Sequence, residues 1–151
     1  TDAIGTLVSA VQSATRPIVF VSHSVGSTLV AHAMPTLVQM SLSDRIKGGF
    51  LVTPPSELAL AELPNIDPAF ALVPREPLPF PSALIASSND PWLTESKAAY
   101  WALQWGTDFL RLKNVGHINS ESNLGFWAEG IQLLQQLLRS AKQARPPLLL
   151  A

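Results

Sequence analysis

Three short segments of this chain are apolar almost throughout, and a fourth follows them. That pattern most constrains its fold. Ile18-Val19-Phe20-Val21 is continuous and rich in β-branched residues, which predicts a strand buried on both faces. Gly48–Thr53 and Ser82–Ser87 read as two more buried strands, and Phe109–Leu112 as a fourth. Between them run helical patterns. Asp2–Ala14 carries Ile4, Leu7, Val8 and Val11 behind a Thr1/Asp2 cap, and Ser27–Met40 carries Leu29, Val30, Ala33, Leu37 and Met40. Pro35 is expected to kink or end that second helix. Leu93–Trp105 and about Phe126–Lys142 complete the set, the last with Trp127, Ile131, Leu134 and Leu138 on one face. Strands alternating with amphipathic helices predict a three-layer α/β/α sandwich on a mostly parallel sheet.

Pro54–Pro81 interrupts the alternation. It is too apolar for a linker, so it reads as an ordered excursion with a short helix around Ser56–Leu63, of the kind that often covers a site. No repeat or domain-splitting linker is visible. Residues 1–144 read as one domain and 145–151 as a loose tail.

Composition removes several classes of function. The 151 residues are 47% hydrophobic and 14% charged, enough to build a core, and the net charge is -1. No basic run points to nucleic acid or an anionic membrane. The lack of cysteine excludes a thiolate metal site and a cysteine nucleophile, leaving serine for covalent chemistry. The histidines are scattered and no glycine-rich phosphate loop follows a strand, so neither a metal nor an organic cofactor is expected. No leader-like start and no membrane-length apolar run appear, which makes the expected location cytoplasmic.

In parallel sheets, function collects beyond the carboxyl ends of strands. Ser24 lies directly after the first strand, in Ser22-His23-Ser24-Val25-Gly26. This approximates the Gly-x-Ser-x-Gly elbow, in which a strained turn lifts a serine above the sheet and needs small outer residues. Ser22 stands in for the first glycine. Such a turn aims the Val25 N–H, at a helix start, toward developing negative charge. The alternative is a plain packing turn. Asp90, in Ser87-Ser88-Asn89-Asp90-Pro91, follows the third strand and could orient a histidine, although Asp-Pro often only caps a turn. His117 lies in the loop after the fourth strand and could pass a proton. His23 is expected to turn away from Ser24, and His32, mid-helix, to be packing or solvated. The order Ser, Asp, His, each beyond a separate strand, is that of α/β-hydrolases. Trp92 and Trp127 are candidates to line a substrate pocket, with core packing as the alternative.

The segments Val21–Gly26, Ala86–Trp92 and Gly116–Ser122 together resemble the small serine hydrolases of the RBBP9/YdeN family. Pro79-Phe80-Pro81-Ser82, Trp105-Gly106 and Gly125–Gly130 resemble it too. The resemblance implies an α/β-hydrolase fold without a large lid, a triad of Ser24, Asp90 and His117, and small esters as substrates. It also implies a preceding strand and a loop that supplies a second oxyanion donor, whereas this sequence starts at the first helix. The expectation is therefore a truncated chain, or one whose missing strand comes from elsewhere, with a homodimer as one route. A missing donor would cost about 10²–10³ in turnover. A scaffold that binds without catalysing is the competing reading.

Overall fold

A computed structural model describes residues 2–143. The expected tail and Thr1 lie outside the described residues. Nine elements follow in order: α1 (Ala3–Ser13), β1 (Ile18–His23), α2 (Val25–Gln39), β2 (Ile46–Val52), α3 (Glu57–Ala61), β3 (Ser82–Ser87), α4 (Glu95–Trp105), β4 (Asp108–Leu112) and α5 (Ala128–Gln143). Three of the helix starts are capped by a side chain. The Asp2 carboxylate accepts the Gly5 N–H, the Ser56 hydroxyl that of Ala59, and the Thr94 hydroxyl that of Lys97. Gly106, left-handed at φ 66°, ends α4.

The four strands form one parallel sheet in the order β1-β2-β3-β4. Right-handed crossovers that always step in one direction put their helices on one face. Accordingly α1, α2 and α4 bury Val11, Ala33, Leu37, Trp101 and Trp105 against Phe20, Leu51, Leu84 and Ala86. The other face holds Phe50, Val52, Ala83, Ile85 and Leu112, covered by α5 through Leu137. Helices therefore lie on both sides of the sheet, as the alternation predicts.

Three expectations need correction. The first strand is not buried on both faces. It pairs only with β2 among the described residues, and Val21 is 61% exposed. Its apolar run mimics β3, where every residue is buried. The second concerns Pro35: of the two expected outcomes, a kink or an end, the end does not occur, because Pro35 sits inside α2. Proline removes one backbone donor, and the helix continues to a Met40 N–H that still reaches the Thr36 carbonyl. The third is the inward face of α5. Trp127 and Leu134 pack on the core as predicted, joined by Gly130, Leu133 and Leu137, whereas Ile131 is 37% exposed and falls outside the stripe.

The Pro-rich excursion is tied down along its length. The Trp105 indole N–H donates to the Pro74 carbonyl (2.9 Å), and Leu78 N–H donates to the Trp105 carbonyl (2.9 Å). Glu57 pairs with both Arg75 (3.2 Å) and Lys97 (2.9 Å). Those two cations lower the Glu57 pKa against the opposing effect of its desolvation. Leu84, fully buried at the centre of the sheet, gives the simplest test of this core. Leu84→Ala should cost about 2–5 kcal/mol in urea unfolding, and a cost below 1 kcal/mol would mean a loosely packed centre.

Candidate active site

Ser24 sits at φ 54°, ψ −128°, a conformation costly for any residue with a side chain. It is held there from both sides. Its N–H donates to the Val52 carbonyl at the end of β2 (2.9 Å), and its carbonyl accepts the Ser27 N–H as α2 begins (2.8 Å). The Ser22 and Ser27 hydroxyls bond to each other (3.0 Å), and Ser27 Oγ also donates to the Val52 carbonyl (3.2 Å). Ser22 thus braces the turn as well as fitting it. A methyl at Gly26 would meet Ser22 Cβ at an ordinary 3.8 Å, so the tight approach expected between the outer positions is not present.

The residues singled out beyond three strands come together. Ser24 Oγ lies 2.9 Å from His117 Nε2, and His117 Nδ1 lies 2.9 and 3.0 Å from the two Asp90 carboxylate oxygens. A neutral imidazole fits this by donating Nδ1–H to Asp90 and accepting Ser24 Oγ–H at Nε2. The Asp90 side chain is 0% exposed and that of His117 10%. Asp90 Oδ1 also accepts the Trp92 N–H (2.8 Å), so its turn-forming and histidine-facing roles coexist, while Thr94 caps α4.

The residues before Asp90 carry a function that the sequence reading missed. Ser87 Oγ accepts the Val115 N–H (3.0 Å), Ser88 Oγ the Asn114 N–H (2.9 Å), and Asn89 Oδ1 the Gly116 N–H (2.8 Å). Three consecutive side chains at the end of β3 thus hold three consecutive amides leading to His117. Gly116 takes φ 62°, a left-handed conformation that glycine adopts at little steric cost. The only sequence signal was a polar Ser-Ser-Asn run beside an aspartate.

The other histidines also find partners. His23 turns to His117 rather than to solvent alone, donating Nε2–H to its main-chain carbonyl (2.8 Å), with the rings edge to face at 4.9 Å. His32 is half-buried, stacks on Phe70 at 4.1 Å and donates to the Phe70 carbonyl (2.9 Å). Desolvation lowers its pKa, outweighing the bond to Phe70. Among the described residues, no three His, Asp or Glu side chains cluster closely enough to hold a metal ion.

Val25 opens α2, and its N–H has no protein acceptor among the described residues. The Val25 side chain also lines a cleft of about 420 Å³ with Ile4, His32, Ile66, Ala69 and Phe70. Trp92 is 39% exposed, with its ring 6.3 Å from that of His117, and borders two smaller hollows. Trp127 packs on Gly130 and lies 6.3 Å from Phe50, with its indole N–H buried and without a partner among the described residues. It borders a separate hollow with Ile118 and Asn119, the two residues that follow His117.

A buried carboxylate, an imidazole and a strained serine in one hydrogen-bonded chain above a parallel sheet define the α/β-hydrolase type of site. The family described as "Serine hydrolase" matches residues 1–136, and this chain belongs to it. Among solved structures, one described as a YdeN-like hydrolase from Pectobacterium atrosepticum is similar at TM-score 0.73 and 26% identity. The match covers 91% of this chain and 68% of that one. The type II thioesterase BorB from the borrelidin biosynthetic cluster is similar at TM-score 0.63 and 16% identity, covering 90% and 69%. An esterase domain from a Rhodothermus marinus protein follows at TM-score 0.59 and 14% identity, covering 87% and 65%. The last two show the fold alone. A search of curated proteins finds no match to this sequence.

Two predictions follow from this geometry. Ser87→Ala strands the Val115 N–H and should cost about 1–3 kcal/mol in denaturant unfolding; no change would mean that the bond carries nothing. The lowered His32 pKa means that the unfolded chain takes up a proton more readily. The stability this confers is present above the ordinary value of 6.5 and is lost as pH falls below it. His32→Gln should therefore flatten the fall in melting temperature below that pH, and an unchanged profile would refute the assignment.

Proposed function

We propose that this protein hydrolyses small carboxylic esters through an acyl-enzyme on Ser24. The observation that supports this most is the unbroken chain from Asp90 through His117 to a serine in an elbow conformation. In the first half-reaction His117 Nε2 takes the Ser24 proton as Oγ attacks the substrate carbonyl. Negative charge gathers on the carbonyl oxygen, where the free Val25 N–H at the helix start donates. The protonated imidazole, stabilised by Asp90, then passes its proton to the leaving alkoxide. Water repeats the sequence, with His117 as base, and releases the acid and the free serine.

The cleft beside Val25 supports a neutral, apolar acyl group as the part of the substrate that docks. Ile4, Ile66, Ala69 and Phe70 offer carbon, and His32 is committed to Phe70. Asp2 and Asp67, which also border the cleft, are occupied in capping and would repel a free carboxylate. On this reading Trp92 flanks the leaving-group side, and Trp127 serves the core beneath α5.

The test is turnover of short aryl esters together with fluorophosphonate labelling. The wild-type chain should do both, Ser24→Ala neither, and Asp90→Asn should lose on the order of 10⁴ in kcat. A wild-type chain that neither labels nor turns over would overturn the proposal. Ala69→Trp should narrow the cleft and depress butyryl-ester hydrolysis more than acetyl-ester hydrolysis. Equal losses would move the acyl group elsewhere.

A further inference from the structure

The loop that carries His117 starts at one edge of the sheet and delivers its ring to the other. β4 and β1 are three strand spacings apart, about 14 Å, so the chain after Leu112 must cross the ends of β3 and β2 to reach Ser24. At β3 it is held by Ser87, Ser88 and Asn89. Beyond Gly116 the support changes. The main-chain carbonyl of His117 itself accepts two hydrogen bonds, one from Thr53 Oγ1 (3.2 Å) and one from His23 Nε2 (2.8 Å). Thr53 stands immediately after β2 and His23 is the last residue of β1, so the strand still to be crossed and the strand that carries the target each supply one donor.

We infer that Thr53 and His23 are positioning residues that clamp the His117 carbonyl and so set the distance between imidazole and Ser24. Three observations carry this. Thr53 is completely buried and left-handed at φ 43°, a strained state for a β-branched residue. Its backbone is fixed by a bond from its N–H to the Ile85 carbonyl (2.8 Å), which leaves its hydroxyl beside His117. The residue after His117, Ile118, is also left-handed, at φ 49°, so the loop reverses at the clamped carbonyl. The His23 ring adds an edge-to-face contact with the His117 ring, restraining its tilt as well as its anchor. His23 is the more exposed donor, so water competes for its bond, and Thr53 should be the stronger half.

This inference rests on the reading of Ser24 and His117 as nucleophile and base, and the test separates the two. Thr53→Val keeps shape and branching but removes the donor, Thr53→Ser keeps the donor, and His23→Phe keeps a ring without one. Thr53→Val and His23→Phe should each lower kcat about 3- to 10-fold at unchanged KM. The double variant should approach 10²-fold, because small displacements of a base are costly. Thr53→Ser should restore the rate to within about twofold. A second readout is independent of turnover: the downfield NMR resonance of the His117 Nδ1 proton should be sharp in the wild-type chain and in Thr53→Ser. It should broaden or vanish in the double variant, with melting curves confirming that each protein is folded. If the wild-type chain turns over ester but Thr53→Val and His23→Phe match it in kcat and resonance, the clamp alone is overturned. If the wild-type chain is inactive at Ser24, both readings fall. Should Thr53→Val not fold, His23→Phe and its NMR signal decide.

Discussion

The bond between Ser24 Oγ and His117 Nε2 is the interaction on which the rest of this architecture bears. It joins residues 93 positions apart, brought from the two outer strands of the sheet. Neither partner is in a relaxed place. Ser24 occupies a backbone conformation that costs on the order of 1–3 kcal/mol, and the His117 loop runs through three left-handed residues, Asn114, Gly116 and Ile118. Such geometry persists only where the surroundings over-determine it. The central strands do that here: β2 ends in the Val52 carbonyl that pins Ser24 and in the Thr53 hydroxyl that meets His117, and β3 ends in the three side chains that hold the loop.

A parallel sheet suits this arrangement for a simple reason. All four carboxyl ends open on one rim, so each strand can contribute one group without the chain having to reverse direction. The strongly buried β2 and β3 fix that rim, and the exposed flank of β1 takes no part in it. On one face, α2 and α4 hold the excursion that borders the cleft beside Val25, with Trp105, Lys97 and His32 all gripping it. Stability and site geometry therefore share residues. Glu57 and Lys97 hold the excursion in place without touching the serine, and Ser87 serves both a strand end and the histidine loop.

Much of this was legible in the sequence. Periodicity located every strand and every long helix, and the parallel layout told where to look for Ser24, Asp90 and His117. What it could not show was contact at long range. His23 looked idle because its partner lies 94 residues away, and Ser87-Ser88-Asn89 received no role because their partners are amides of a distant loop. Side chain to backbone bonds leave no periodic trace. The burial of β1 was misjudged for a related reason: β-branched residues record a preference for strand, whereas exposure at an edge depends on what lies alongside. In α5 a Leu-rich helix offers two overlapping stripes, and only the position of the sheet chooses between them.

The most direct measurement is the intact mass of the protein quenched in acid during turnover of an aryl ester, with the adduct mapped by peptide digestion. This account expects a single acyl group, found on the peptide containing Ser24, and its absence in Ser24→Ala. An acyl group on any other residue, or ester turnover with no acylated protein at any time, would contradict it.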